Sequence, residues 1–174
     1  MGSEMCIRDR FPEYKWERDD LDPNMFMLED TDMYTAWRNK VIEFKPDVII
    51  SSVVEDTYYL WRKFMDQVTD RKFISVCGGV FCTYFPQAFE GKCDYILRGE
   101  GDEVVPELMD LISEGKDGHH LMNVHPNPMR PAMNVNTLPS TDHEIFDERS
   151  LYRPFAGKII KIATVETQRG CPFK

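Results

Sequence analysis

Apolar positions fall in short runs separated by polar breaks, and their spacing changes along the chain. Met33, Trp37, Val41 and Phe44 recur at i, i+4, i+8 and i+11, which is one face of a helix. Asp30-Thr31-Asp32 supplies cap residues before that helix, and Lys45-Pro46-Asp47 ends it. Val48 to Val54 is apolar and β-branched without alternation, the mark of a strand covered on both faces. Thr57 to Thr69 returns to helical spacing through Leu60, Phe64 and Val68. Phe73 to Cys77 is an apolar run too short for a helix, and it stops at Gly78-Gly79. A short helix over Phe85–Phe89 and a strand over Cys93–Leu97 follow. Asp102–Ser113 then reads as a helix with Val105, Leu108, Leu111 and Ile112 inward, stopped at Gly115.

Strands alternating with helices at this spacing predict an α/β fold with a parallel, doubly wound sheet of the flavodoxin or Rossmann-like kind. Only three strands are legible before residue 115, so the first βα unit of such a sheet is expected to be lacking, the alternative being a degenerate strand within residues 11–29. Residues 1–29 read as an irregular or non-native start: Met1–Arg10 has no periodicity, and Pro12 and Pro23 break any long helix. The α/β domain is placed at 30–115. Residues 116–157, whose first part is rich in Gly, His, Asn and Pro, read as a linker with a helical turn near Ile145-Phe146. Lys158–Val165 alternates as a strand and opens a second, incomplete domain over 158–174.

Charge and cysteine content narrow the function classes. Lys and Arg total 21 against 30 Asp and Glu, a net charge of −9, and no basic stripe stands out. Nucleic-acid binding is therefore not expected. No apolar run reaches the ~20 residues of a membrane helix. The five cysteines (Cys6, Cys77, Cys82, Cys93 and Cys171) form no Cys-x-x-Cys, and no secretory signal precedes them, which predicts a cytoplasmic setting. Cys77, Cys82 and Cys93 read as small buried hydrophobes. Trp16, Trp37 and Trp61 read as packing residues.

The Gly78-Gly79 pair closes a strand, where backbone can approach another backbone or a bulky ligand. Ligands in open α/β sheets sit outside the carboxyl ends of strands. The pair is thus a candidate ligand floor, and the plain alternative is a tight strand-to-helix turn.

Arg169-Gly170-Cys171-Pro172-Phe173, following a strand, resembles the entrance to a radical S-adenosylmethionine (SAM) barrel. In that family a Cys-x-x-x-Cys-x-x-Cys loop holds a [4Fe-4S] cluster with one open iron. The resemblance makes Cys171 the first ligand and puts the second immediately after Lys174, so the cluster motif is expected to be cut short. Val48–Val54, Gly78-Gly79 and Asp94-Tyr95-Ile96-Leu97-Arg98-Gly99-Glu100-Gly101 resemble, in order and spacing, the cobalamin-binding domain that precedes such barrels. Leu138-Pro139-Ser140-Thr141-Asp142 is similar to the passage between the two domains.

The resemblance implies the corrinoid-binding amino-terminal part of a cobalamin-dependent radical SAM enzyme that performs methyl transfer or related radical chemistry on a small-molecule substrate. Its cofactors would be cobalamin, a [4Fe-4S] cluster and SAM. It further implies that Ser51, Ser52 and Val53 form a small polar strand end, that Gly78 and Gly79 let the nucleotide tail pass, and that Gly99, Glu100 and Gly101 form the loop after the last strand. Alternatives stand beside these: the serine hydroxyls also suit a strand end, and Glu100 with Asp102 suits the positive end of the next helix. The Asp-x-His-x-x-Gly cobalt-ligating motif is not in the sequence. His119, His120, His125 and His143 lie in the linker region, and no cobalt ligand is assigned. A different class of reading is a non-catalytic Rossmann-like module that binds no corrinoid.

Overall fold

A computed structural model describes residues 32–139, 142, 144–145, 151–155 and 158–162. Thr31–Met133 forms one compact unit, and Asn134–Lys174 falls in another.

The first unit begins with α1, Met33–Phe44. Asp32 caps it, its carboxylate accepting from the Thr35 backbone N–H at 3.0 Å. Lys45 ends it in a left-handed conformation, donating its backbone N–H to the Val41 carbonyl, and Pro46 then forbids continuation. Parallel strands β1 (Val48–Ser52), β2 (Ile74–Gly78) and β3 (Tyr95–Ile96) follow in spatial order β1-β2-β3. Between β1 and β2 lie a 3-10 turn, Glu55–Thr57, and α2, Tyr58–Asp66. Between β2 and β3 lie α3, Val80–Tyr84, and a 3-10 turn, Pro86–Ala88. The last helix, α4, is Val104–Ser113.

The parallel register pairs Val48 with Ile74, Ser52 with Gly78, and Cys77 with Ile96. Alternation then divides the side chains between two faces. Ile49 packs with Val41 of α1 and with Val68, while Cys77 and Ile96 pack with Trp61, Cys82 and Phe89. On the opposite face Val76, Tyr95 and Leu97 pack against Val104 and Leu108 of α4 and against Val124. Helices therefore cover both faces of a three-stranded parallel sheet in an α/β unit. Cover is incomplete over β1: Ile50, on the same face as its fully buried partner Val76, is 50% exposed. The expectation that Val48–Val54 is covered on both sides is corrected at Ile50: the cluster built around α4 reaches Val48 at the start of β1, and Ile50 stands outside it.

Residues 116–133, expected as the first part of a linker, instead pack on the free side of β3. Leu97 bridges Val124 antiparallel, His125 N–H donates to the Ile96 carbonyl at 2.9 Å, and Arg98 N–H donates to the Asn123 carbonyl at 2.8 Å. The strand itself is shorter than Cys93–Leu97. The Asp94 carboxylate takes the Ser75 backbone N–H (2.7 Å) and hydroxyl (2.6 Å), so a side chain anchors the strand entry. The helix expected over Phe85–Phe89 lies earlier, at Val80–Tyr84, because Pro86 starts a new turn.

In the second unit, β4 (Tyr152–Phe155) pairs antiparallel with β5 (Lys158–Lys161), Tyr152 opposite Lys161. The strand expected from Lys158 is present through Lys161, and β4, inside the expected linker, was not anticipated. The helical turn expected near Ile145-Phe146 reaches residues outside the described set. No helix among the described residues is long and apolar enough to cross a membrane.

Candidate functional site

The carboxyl ends of the three parallel strands come together through a small set of short contacts. At the end of β1, Ser52 is exposed and Ser51 half-buried beside Cys77. Val53 faces inward and is 1% exposed. Its backbone N–H donates to the Gly78 carbonyl at 2.9 Å, and its carbonyl accepts from Phe81 N–H at 3.2 Å. Val53 is thus a fixed strut between β1, β2 and α3.

The two glycines at the end of β2 differ. Gly79 has φ +96° and ψ −178°, a conformation essentially restricted to glycine. A Cβ there would lie 2.8 Å from both the N and O of Val53 and 2.9 Å from the Ser52 Oγ. Backbone packing alone therefore demands glycine at 79. At Gly78 a Cβ would meet the Leu97 Cβ at 3.7 Å, an ordinary contact. The lack of a side chain at 78 is not required by the protein's own packing.

Thr83, on α3, ties the second tip to the third. Its hydroxyl donates to the Gly79 carbonyl at 3.0 Å and accepts the Gly99 N–H at 2.9 Å. Gly99 has φ +74°, and its missing side chain makes room for the Asn123 amide, 3.0 Å from the Cβ position. Asn123 is 2% exposed and sits over this loop. Its Nδ2 donates to the Arg98 carbonyl at 2.6 Å, and its Oδ1 accepts the Arg130 N–H at 3.0 Å. The Glu100 carboxylate accepts the Met133 N–H at 2.7 Å, fixing the far end of the 116–133 segment. The Gly101 carbonyl accepts from Val105 N–H at the start of α4.

Ser52, Gly79 and Gly99 are accordingly neighbours at one end of one sheet. Val54, Val80, Tyr84 and Phe85, all exposed apolar residues, occur in the segments that leave β1 and β2. Thr83 and Asn123 are the organising residues that sequence reasoning missed. For Thr83 a signal existed: a threonine four residues after a strand-end glycine can return its hydroxyl to the i−4 carbonyl.

Among the described cysteines, Cys77 and Cys82 are buried and held in the thiol form. The neighbouring Cys93 thiol, through hydrogen bonding with Cys77, and burial push the Cys77 thiol far above its ordinary range, and burial pushes Cys82 up to about 12. Among the described residues no group of three or more His, Cys, Asp or Glu side chains is arranged to hold a metal. His119 reaches the Asp94 carbonyl at 3.1 Å, at the amino end of β3, and His125 contacts Glu90 at 3.0 Å. Cys171, Ser140, Thr141 and His143 lie outside the described residues.

No family model matches the chain, and no solved structure does. The chain is 26% identical over 151 residues to an uncharacterized methyltransferase of Pyrococcus horikoshii, a match covering 77% of this chain and 32% of that protein. The chain thus spans about a third of the relative's length.

Proposed function

We propose that this chain is the corrinoid-holding part of a larger methyl-transferring enzyme of the cobalamin-dependent radical SAM kind. The observation that carries this reading is the bridge made by Thr83, which holds the ends of β2 and β3 in fixed relation beside the exposed Ser52. The doubly wound fold belongs to the same reading, as does the assignment of β5 to the start of a barrel. The similarity to a methyltransferase supports methyl transfer, and the resemblance of the Gly170-Cys171 region supports a [4Fe-4S] cluster and SAM.

The residues present fit such a group at the strand tips. The Ser52 hydroxyl, exposed and without a hydrogen bond among the described residues, can offer one donor and acceptor pair to a corrin amide. Gly78 leaves space that packing does not claim, whereas Gly79 serves the turn itself. Val54, Val80, Tyr84 and Phe85 supply apolar surface suited to a flat macrocycle and to exclusion of water. Val53 and Thr83 hold the platform without contacting a ligand. When bound, a corrinoid supplies cobalt-centred methyl chemistry, and the protein supplies placement. A small-molecule substrate belongs to the same proposal.

A second reading has its own observations. Gly79 is explained by the Val53 backbone and Glu100 by the Met133 N–H, so both serve structure without any ligand. That favours a Rossmann-like module with no corrinoid. The two separate on one experiment: incubation of the intact gene product with hydroxocobalamin, followed by gel filtration read at the corrin absorbance. Co-elution near one corrinoid per chain, weakened by Gly78→Leu, supports the corrinoid reading. Elution free of cobalamin supports the module.

A further inference from the structure

At the opposite end of the sheet, beside Phe73 and Ser75 at the start of β2, a groove of about 360 Å³ opens between α2 and the turn at Gly91-Lys92. Its charged lining comprises Arg62, Arg71 and Lys92 against one carboxylate, Asp66. That local excess of cations sits in a chain whose net charge is −9.

Two of the three cations have no carboxylate partner among the described residues; only Arg71 is paired, with Asp70 at 3.7 Å. Lys92 Nζ donates instead to the Tyr58 phenol at 2.7 Å and to the Ala88 carbonyl at 2.5 Å. Arg62 turns to the same phenol. Partial burial raises the Tyr58 pKa, but the hydrogen bonds from Lys92 and Arg62 outweigh it and leave the group below its ordinary value. One phenol oxygen is a poor terminus for two cations, and both remain available to a better acceptor.

Trp61, in the groove wall, gives the second observation. The residue is 7% exposed, and its Nε1–H is buried with no acceptor among the described residues. Indole nitrogen is a donor only, and a buried donor left unpaired costs about 1–3 kcal/mol. Trp37 shows the ordinary arrangement, its Nε1–H donating to the Phe64 carbonyl at 2.9 Å. Met65, Val68 and Phe73 complete the lining with apolar surface.

We infer that this groove is a binding site for a small organic phosphate, with Arg62, Lys92 and Arg71 meeting the phosphate oxygens, and the apolar wall, Trp61 included, covering the organic part and making the Trp61 indole resonance its reporter. A phosphate carries about two charges and three terminal oxygens, enough acceptors for this donor set, where a carboxylate offers two oxygens. The site lies at the other end of the strands from Gly78 and does not depend on the corrinoid reading.

The test is a titration of the ¹⁵N-labelled chain with phenyl phosphate and, separately, inorganic phosphate, at ionic strength held constant with sodium chloride. The indole N–H resonances are followed, that of Trp61 being assigned by Trp61→Phe. The expected result is a saturable movement of the Trp61 resonance while that of Trp37 stays still. Phenyl phosphate should half-saturate at about tenfold lower concentration than inorganic phosphate, since the ring buries apolar surface. Arg62→Gln with Lys92→Gln should abolish saturation, and Arg62→Lys should retain most of it; an unmoved Trp37 resonance certifies that each variant is folded. Movement that is linear in salt, or that persists unchanged in the double variant, overturns the site. Equal half-saturation by the two phosphates overturns its organic character.

Discussion

Replacing Gly79 with alanine tests whether this glycine answers to the protein's own backbone. The new Cβ would sit 2.8 Å from the Val53 N and O. Neither atom can retreat easily, since the N–H is bonded to the Gly78 carbonyl and the carbonyl to the Phe81 N–H. The backbone conformation at φ +96° adds about 1–3 kcal/mol for any side chain. Forced overlap in a packed region adds about 1–3 kcal/mol more. Gly79→Ala is therefore expected to destabilise the chain by about 3 kcal/mol or more. At this chain length that corresponds to a fall in Tm of about 6 °C or more. Gly78→Ala, whose Cβ meets Leu97 at 3.7 Å, should be neutral or up to about 1 kcal/mol stabilising, because alanine has less backbone entropy to lose. Urea denaturation followed by far-UV circular dichroism measures both. If Gly79→Ala lies within about 1 kcal/mol of wild type, or Gly78→Ala costs as much as it does, the contact geometry assigned to this turn is wrong.

Other substitutions probe the ties between strand tips. Thr83→Val removes the hydroxyl shared by Gly79 and Gly99 and should cost about 1 kcal/mol in urea denaturation, while Thr83→Ser should stay near wild type. Asn123→Ala strips partners from the Arg98 carbonyl and the Arg130 N–H and should cost about 2 kcal/mol or more by the same assay. The Arg38 guanidinium, hydrogen-bonded to Asp70 at 2.8 Å, holds that carboxyl down from 3.8 to about 2. A carboxyl whose folded pKa is depressed contributes stability above its unfolded value and loses it as pH falls through the folded one. Stability should thus decline between pH 4 and pH 2, and Asp70→Asn should flatten that part of the profile. The hydrogen bond that the His119 ring donates to the Asp117 carboxylate raises the His119 pKa above 6.5. Its contribution is complete below that value and lost as pH rises through the folded pKa, so an NMR titration of the His119 ring should give a midpoint above the ordinary one.

The alternation of helices and strands was legible because each element carries its own periodicity: α1 was read at the residues where it lies, and β1 and β2 to within two. What was not legible came from side chains that act on backbone. Asp94 takes the Ser75 N–H and leaves β3 only two residues long. The 116–133 segment looked like a linker because it is polar and rich in turn formers. Yet those polar residues supply its bonds: Asn127 Nδ2 donates to the carbonyls of His119 and Leu121, and Asn123 closes over Gly99. Composition reports polarity and says nothing about whether a polar side chain faces water or a carbonyl. Of the glycine pair, Gly79 is a place of close approach and Gly78 is not. Whether that approach is to ligand or to backbone depends on neighbours distant in sequence, and for Gly79 the neighbour is Val53. Ile50 was misjudged for a related reason, since a β-branched run reports strand tendency without fixing how far a covering helix extends.

Amide hydrogen exchange of the intact gene product, with and without hydroxocobalamin, addresses the strand-tip platform most directly. Corrinoid bound there should slow exchange at residues 51–54, 78–81 and 99–101 and leave α2 and the turn at Gly91-Lys92 unchanged. Unaltered exchange at all three tips, or protection confined to another part of the chain, would contradict a corrinoid platform at the ends of these strands.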